Sequence, residues 1–92
     1  MGKLERLRKE YEAIKNNPRN TEFRRVAALL RGLGYRSQRG KKQSHHIFAR
    51  PDIKSRVHIA EPHPGNIIKK VYVDDVIAEI ECHPEIWEGE EV

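Results

Sequence analysis

The sequence predicts a small α+β domain in which helices cover one face of an antiparallel sheet. Apolar residues recur at spacings of three and four in the first third of the chain and again near its end, whereas residues 35–60 contain short runs of strand-forming residues. At 92 residues the chain has the size of one domain. The predicted order is helix, helix, three strands, helix, and from Thr21 onward it is α-β-β-β-α, a two-layer arrangement.

Two helices are predicted before residue 35. The first covers residues 3–15 and ends at "NNPRN"; its apolar face consists of Leu4, Leu7, Tyr11 and Ile14. Asn20 or Thr21 can cap the second helix, and Gly34 in "LRGLGY" suits its C-terminal end. The apolar face of that second helix consists of Phe23, Val26, Ala27, Leu30 and Leu33.

Three strands and a helix follow. The strands are predicted at "YRSQR", "SHHIFA" and "RVHIA", with a turn near Gly40 and the loop "RPDIKS" before the third strand. Pro62 and Pro64 end that strand. The β-branched content of "KVYV" favours a further strand as the competing alternative to the last helix. The last helix is predicted to end near "CHP". Its apolar stripe consists of Val73, Val76, Ile77 and Ile80.

The domain organisation follows from these elements. Residues 1–18 are predicted to be an N-terminal helical extension, residues 19–83 the central domain, and residues 84–92 an acidic C-terminal tail that is frayed or bound by a partner. No apolar run approaches the roughly 20 residues of a membrane span, and the N-terminal segment mixes acids with bases, unlike a targeting peptide. Because Cys82 is the only cysteine, an internal disulfide and a cysteine-based zinc site are excluded, and the cytoplasm is the expected location.

The formal net charge of +4 is unevenly distributed. Residues 1–60 carry 16 Lys and Arg against 5 Asp and Glu, a charge of +11, whereas residues 61–92 carry 2 against 9, a charge of −7. A local excess of Lys and Arg attracts a polyanion by Coulomb interaction and counterion release. The alternative is an ordinary solvated surface.

The histidines are the candidate chemical groups. His45 and His46 should not chelate a metal together, because successive side chains of a strand face opposite sides. A metal site that combines them with His58 and His63 is the weaker hypothesis, since the sequence offers neither an HxxxH helix nor a close carboxylate. His58 is expected on a strand surface, and His63 in a rigid loop or at the mouth of a site.

The segments "LLRGLGY", "SHHIFARPD" and "EPHPGN", in this order, resemble the HicA family of toxins, small bacterial and archaeal endoribonucleases with a double-stranded-RNA-binding-like fold. The resemblance covers about residues 21–82, and the N-terminal helix with "PRNTEF" is similar to the longer variant of that family. It implies cleavage of mRNA without a metal or other cofactor, by a histidine in a Gly-Ser-His motif. It also implies a HicB antitoxin, with the toxin a monomer or part of a toxin–antitoxin complex.

On this sequence the resemblance makes Ser44 and His45 the motif serine and the catalytic histidine, with His46 as the alternate. Gln43 stands where the motif has glycine, and Gly40 lies three residues earlier.

These residue types suit RNA cleavage. The 2′-hydroxyl of RNA is the nucleophile, so the enzyme needs a proton-transfer group and positive charge near the phosphate. Imidazole, with an unperturbed pKa of about 6.5, can serve as the proton-transfer group, and Ser44 can donate a hydrogen bond. The candidate phosphate-binding residues are Arg39, Lys41 and Lys42, followed by Arg36, Arg50 and Arg56.

Two other functions remain open. One is an RNA-binding module on the same fold that does not cleave and recognises backbone shape and phosphates. The other is a protein-interaction domain that uses the acidic C-terminal third and the N-terminal helix.

Overall fold

A computed structural model describes residues 2–39, 44–62 and 65–88 of the chain. Its elements follow the predicted order: α1 (Lys3–Asn16), α2 (Phe23–Gly32), β1 (Arg36–Arg39), β2 (His45–Ala49), β3 (Arg56–Ala60) and α3 (Lys70–Cys82). Short 3₁₀ segments cover Pro18–Asn20 and Pro84–Glu88. The α+β class is confirmed, and "KVYV" is the start of a helix. Within the described ranges, none of the helices has the length and apolar character needed to cross a membrane.

Gly34 follows the C-terminal end of helix α2, where the sequence predicted the helix to stop. Gly34 has a φ of 95°, in the left-handed region that glycine adopts without strain. Its N–H donates to the carbonyl of Arg31 at 3.0 Å, and the N–H of Tyr35 donates to the carbonyl of Leu30 at 2.9 Å. These two bonds form a Schellman motif, which satisfies carbonyls at the helix end and turns the chain into β1.

The start of α2 differs from the prediction. Neither Asn20 nor Thr21 caps the helix: the flanking residue is Glu22, without a side-chain capping bond. The Thr21 hydroxyl instead donates to a carbonyl of the preceding 3₁₀ segment at 3.1 Å. The N–H of Phe23 donates to the carbonyl of Asn66 at 2.9 Å. A distant loop therefore satisfies a donor that the sequence assigned to a local cap.

The three strands form an antiparallel sheet in chain order. Side chains alternate between its two faces. The face toward the helices contains the buried residues Phe48, Val57 and Ile59. We call the opposite side the open face, and its residues are exposed or half-buried. They are Arg36, Gln38, His45, Ile47, Ala49, Arg56, His58 and Ala60.

All three helices contribute to one apolar core against the sheet. Ile14 of α1, Leu30 of α2 and Val76 of α3 are each fully buried in it. On the surface, Arg25 of α2 and Glu10 of α1 form an ion pair at 2.7 Å. The N-terminal helix, which the sequence presented as an extension, therefore belongs to the same packed core.

The C-terminal segment also packs onto this core. Ile86, in the 3₁₀ segment Pro84–Glu88, is only 2% exposed. The Trp87 ring lies 5.7 Å from the ring of Tyr11, and the guanidinium of Arg8 lies 5.2 Å from the Trp87 centroid. Residues 84–88, which the sequence assigned to a tail, thus pack against the middle of α1.

Replacing Ile86 with Ala should lower the free energy of unfolding by about 2–4 kcal/mol, because it removes buried methyl groups and leaves a cavity. Val71→Ala is the matched control: Val71 is 58% exposed, and its truncation should change stability by less than about 0.5 kcal/mol. Urea unfolding followed by circular dichroism measures both. Equal stabilities of the Ile86→Ala variant and the wild type would show that residues 84–88 are peripheral.

Candidate functional site

His45 and His58 form a hydrogen-bonded imidazole pair on the open face. His45 Nδ1 lies 2.8 Å from His58 Nε2, and the ring centroids are 4.8 Å apart at an interplanar angle of 28°. His45 is half-buried and His58 is exposed. At this distance one of the two nitrogens holds the shared hydrogen and the other accepts it.

The register of β2 and β3 produces this pair. His45 stands opposite Ala60 and His58 opposite Ile47, so the histidines are diagonal neighbours on one face. The Tyr72 ring of α3 lies nearly perpendicular to the His58 ring, with centroids 6.2 Å apart at 81°. Sequence reasoning placed His58 on a strand surface but missed the pairing, because a diagonal contact depends on the register between two strands.

The pair determines which nitrogen of His45 is available for proton transfer. Because Nδ1 is engaged with His58, Nε2 is the nitrogen that remains for exchanging a proton with a substrate. The partner also orients the ring, as the acid of a Ser-His-Asp triad orients its histidine.

His46 has a different environment from its neighbour. Its ring lies 4.8 Å from the ring of Phe23, and its Nε2 contacts Glu61 Oε1 at 2.9 Å. Only 14% of its side chain is exposed. The predicted divergence of His45 and His46 is confirmed, and His46 fills the edge of the helix-covered face.

Ser44 lies in a turn directly before β2 and is half-buried. Its backbone carbonyl accepts a hydrogen bond from the N–H of Glu61 at 2.6 Å. This bond continues the β2–β3 pairing beyond His45, so the backbone next to the imidazole pair is held on both strands.

Two of the candidate phosphate-binding arginines lie at one end of the open face. Arg36 and Arg56 are exposed and stand opposite Ala49 from the two neighbouring strands. They share the open face with His45 but lie four residues along the strand from it, about 13 Å at 3.3 Å per residue.

Arg50 is engaged in the fold. Its Nη1 donates to the carbonyl of Leu33 at 2.9 Å, and its Nε contacts Asp52 Oδ1 at 2.7 Å. The guanidinium lies over Gly34 at the end of α2, where cations complement the exposed carbonyls of a helix. This structural role was not apparent from the sequence.

The remaining candidates lie outside the described part of the chain: Lys41, Lys42, Gln43, His63 and the side chain of Arg39. The proximity of the basic loop to His45 therefore stays a prediction.

A buried polar cluster surrounds Glu79 of α3. The Tyr35 hydroxyl donates to Glu79 Oε2 at 2.7 Å, and the Ser55 hydroxyl lies 2.9 Å from both carboxylate oxygens. Burial and then the hydrogen bond to Glu79 raise the pKa of Tyr35 well above its ordinary value. An acid beside the apolar stripe of α3 was the one signal in the sequence for this cluster.

The same cluster has a chain of contacts reminiscent of a hydrolase triad. Ser55 Oγ lies 3.0 Å from His83 Nε2, and His83 Nδ1 lies 3.3 Å from Glu85 Oε2. A nucleophilic serine must give its hydrogen to the imidazole. The Ser55 hydroxyl has a single hydrogen, and the Glu79 carboxylate at 2.9 Å competes with His83 at 3.0 Å for it.

Comparisons of the chain with protein-family models, with curated proteins and with solved structures found no match.

Tyr35→Phe should destabilise the fold by about 1.5–3 kcal/mol at neutral pH, because it removes a buried hydrogen bond to a carboxylate. Since the folded state raises the Tyr35 pKa, the contribution is complete below the ordinary tyrosine pKa of about 10 and is lost as the pH rises above it. The stability difference between wild type and variant should therefore shrink above about pH 10, as measured by urea unfolding at successive pH values.

Tyr11→Phe is the matched control for this experiment. It also removes a hydroxyl bonded to a carboxylate, but 47% of the Glu81 side chain is exposed, compared with 8% for Glu79. At neutral pH, Tyr11→Phe should lower the free energy of unfolding by less than Tyr35→Phe. A Tyr35→Phe protein as stable as the wild type at neutral pH would contradict the role of the cluster.

Proposed function

We propose that the chain is a HicA-like toxin, an endoribonuclease that cleaves mRNA in the cytoplasm with His45 as its general acid/base. The observation that supports this most directly is the imidazole pair, in which His45 lies on the open face and is held through Nδ1 by His58. The motif order of the sequence supports the same function.

The chemistry proceeds without an external nucleophile. His45 accepts the proton of the 2′-hydroxyl, the 2′-oxygen forms a bond to phosphorus, and the bond from phosphorus to the 5′-oxygen breaks. The leaving oxygen takes up a proton from water, and the product end is a 2′,3′-cyclic phosphate. General acid-base catalysis of this kind contributes about 10²–10⁴ in rate.

His58 acts as a positioning residue. In-line displacement places the attacking and leaving oxygens on opposite sides of phosphorus. Two imidazoles in contact at 2.8 Å lie on the same side, so they cannot serve as separate base and acid across the phosphate. His58 instead holds the ring of His45 and its hydrogen in place.

Positive charge completes the site. Arg39, Lys41 and Lys42 bind the scissile phosphate, while Arg36 and Arg56 extend the RNA path along the open face. A HicB-like antitoxin covers the same face, because an acidic partner complements the charge of residues 1–60 and excludes RNA.

A non-catalytic RNA-binding module is the second candidate. It is favoured by the position of Arg36 and Arg56, which are the open-face arginines in the described strands and lie far along the sheet from His45. The protein-interaction reading has less support, since the N-terminal helix and residues 84–88 are packed into the core.

His45→Ala should reduce cleavage of a single-stranded RNA by at least about 100-fold without unfolding the protein, because a side chain on the open face adds little packing. His58→Ala should reduce cleavage less and change the pH profile, whereas His58→Gln should restore part of the activity. Cleavage is measured by gel electrophoresis with a chelator present, and folding by circular dichroism.

His83→Ala is the control, since it removes an imidazole away from the open face. Equal cleavage by wild type and His45→Ala would exclude His45. Loss of cleavage only in a folded His46→Ala variant would transfer the role to His46. No cleavage by folded wild type would favour the RNA-binding module.

Joint replacement of Arg39, Lys41 and Lys42 by Ala should weaken binding of all RNA sequences similarly and flatten the dependence of affinity on salt. Each lost phosphate contact should reduce the slope of log K against log salt by about 0.7 for a single strand. Fluorescence anisotropy of labelled RNA at four salt concentrations measures this slope. If the slope is unchanged in the triple variant but flattened by Arg36→Ala with Arg56→Ala, the phosphate contacts lie at the other end of the open face.

A further inference from the structure

The imidazole pair brings two nitrogen ligands together on a rigid support. His45 Nδ1 and His58 Nε2 belong to adjacent strands and are 2.8 Å apart on the open face. The Tyr72 ring lies beside His58, with the centroids 6.2 Å apart. Two imidazoles held in this way need little ordering to bind one ion together.

We infer that His45 and His58 form a two-imidazole binding site for a divalent transition-metal ion of the zinc and copper class, and that the bound ion inhibits the proposed nuclease. Imidazole nitrogen suits these ions, whereas Mg²⁺ and Ca²⁺ prefer oxygen ligands.

The distance between the nitrogens fits a shared ion after a small movement. Zinc–nitrogen bonds are about 2.0–2.1 Å, so two nitrogens at a tetrahedral angle lie about 3.3 Å apart. The pair has to open by about half an ångström, which rotation of two side chains on the open face can supply. The ion then takes the place of the shared hydrogen, which moves to the other nitrogen of the ring that carried it.

The site holds its ion weakly enough for exchange. Among residues 2–39, 44–62 and 65–88, no three His, Cys, Asp or Glu side chains are grouped as metal ligands. Structural zinc uses four protein ligands and catalytic zinc three, so a two-ligand ion keeps water or a phosphate oxygen in its other positions. Such an ion acts as a reversible inhibitor and is not required for folding.

Inhibition follows from the tautomer, and this step rests on the proposed function. An ion on Nδ1 of neutral His45 leaves the ring hydrogen on Nε2. Nε2 then has no lone pair to accept the proton of the 2′-hydroxyl. The ion and the hydrogen bond to His58 compete for His45 Nδ1. The ion therefore replaces the contact that positions His45 in the free protein.

Isothermal titration of the purified, chelator-stripped protein with Zn²⁺ tests the site independently of nuclease activity. Wild type should bind one ion, and His58→Gln and His45→Gln should each bind it at least about tenfold more weakly, because each loses a ligand. His83→Gln, with one imidazole fewer elsewhere, should bind like the wild type, and Mg²⁺ should not bind. Absence of Zn²⁺ binding, or equal binding by His58→Gln and wild type, would overturn the site.

RNA cleavage in the presence of Zn²⁺ tests the inhibition. Zn²⁺ should inhibit wild type at the concentration at which it binds, and about tenfold more should be needed to inhibit His58→Gln. Full cleavage by Zn²⁺-saturated wild type would overturn the inhibition. Zn²⁺ binding that depends on both histidines, in a folded wild type that never cleaves RNA, would support the site and refute the nuclease.

Discussion

The packing of one sheet face under the helices is the constraint on which the rest of the structure depends. Phe48, Val57 and Ile59 are buried on that face, so the pairing of β2 with β3 cannot shift by one residue without exposing some of them. A slip by one residue would turn His45 toward the core and His46 outward. The core therefore determines which histidine is presented to solvent.

The same constraint gives two adjacent histidines different chemistry. His46 lies between Phe23 and Glu61 at the edge of the helix layer, where its ring contributes packing and a polar contact. His45 meets another imidazole on the open face and keeps Nε2 for exchange with a ligand. Both positions hold a histidine, and the face of the sheet on which each one lies determines its environment.

Two acids of the C-terminal third, Glu79 and Glu81, are engaged inside the molecule. Glu79 accepts hydrogen bonds from Tyr35 and Ser55, and Glu81 is bonded to Lys15 and Tyr11 across to α1. The contacts from Lys15 and then Tyr11 lower the pKa of Glu81. These pairs bind α1 and the residue that precedes β1 to α3, so part of the charge asymmetry of the sequence is a set of contacts within the fold.

The sequence by itself determined the elements and the opposite orientation of His45 and His46, because helical and strand periods and the conformation of Gly34 are local properties. It missed the Asn66 carbonyl that accepts the N–H at the start of α2, the burial of Ile86 and the cluster at Glu79, each of which joins residues far apart in the chain. It could not supply the imidazole pair either. Only the tertiary structure decided these, since strand register and helix docking set which distant side chains come within hydrogen-bond distance.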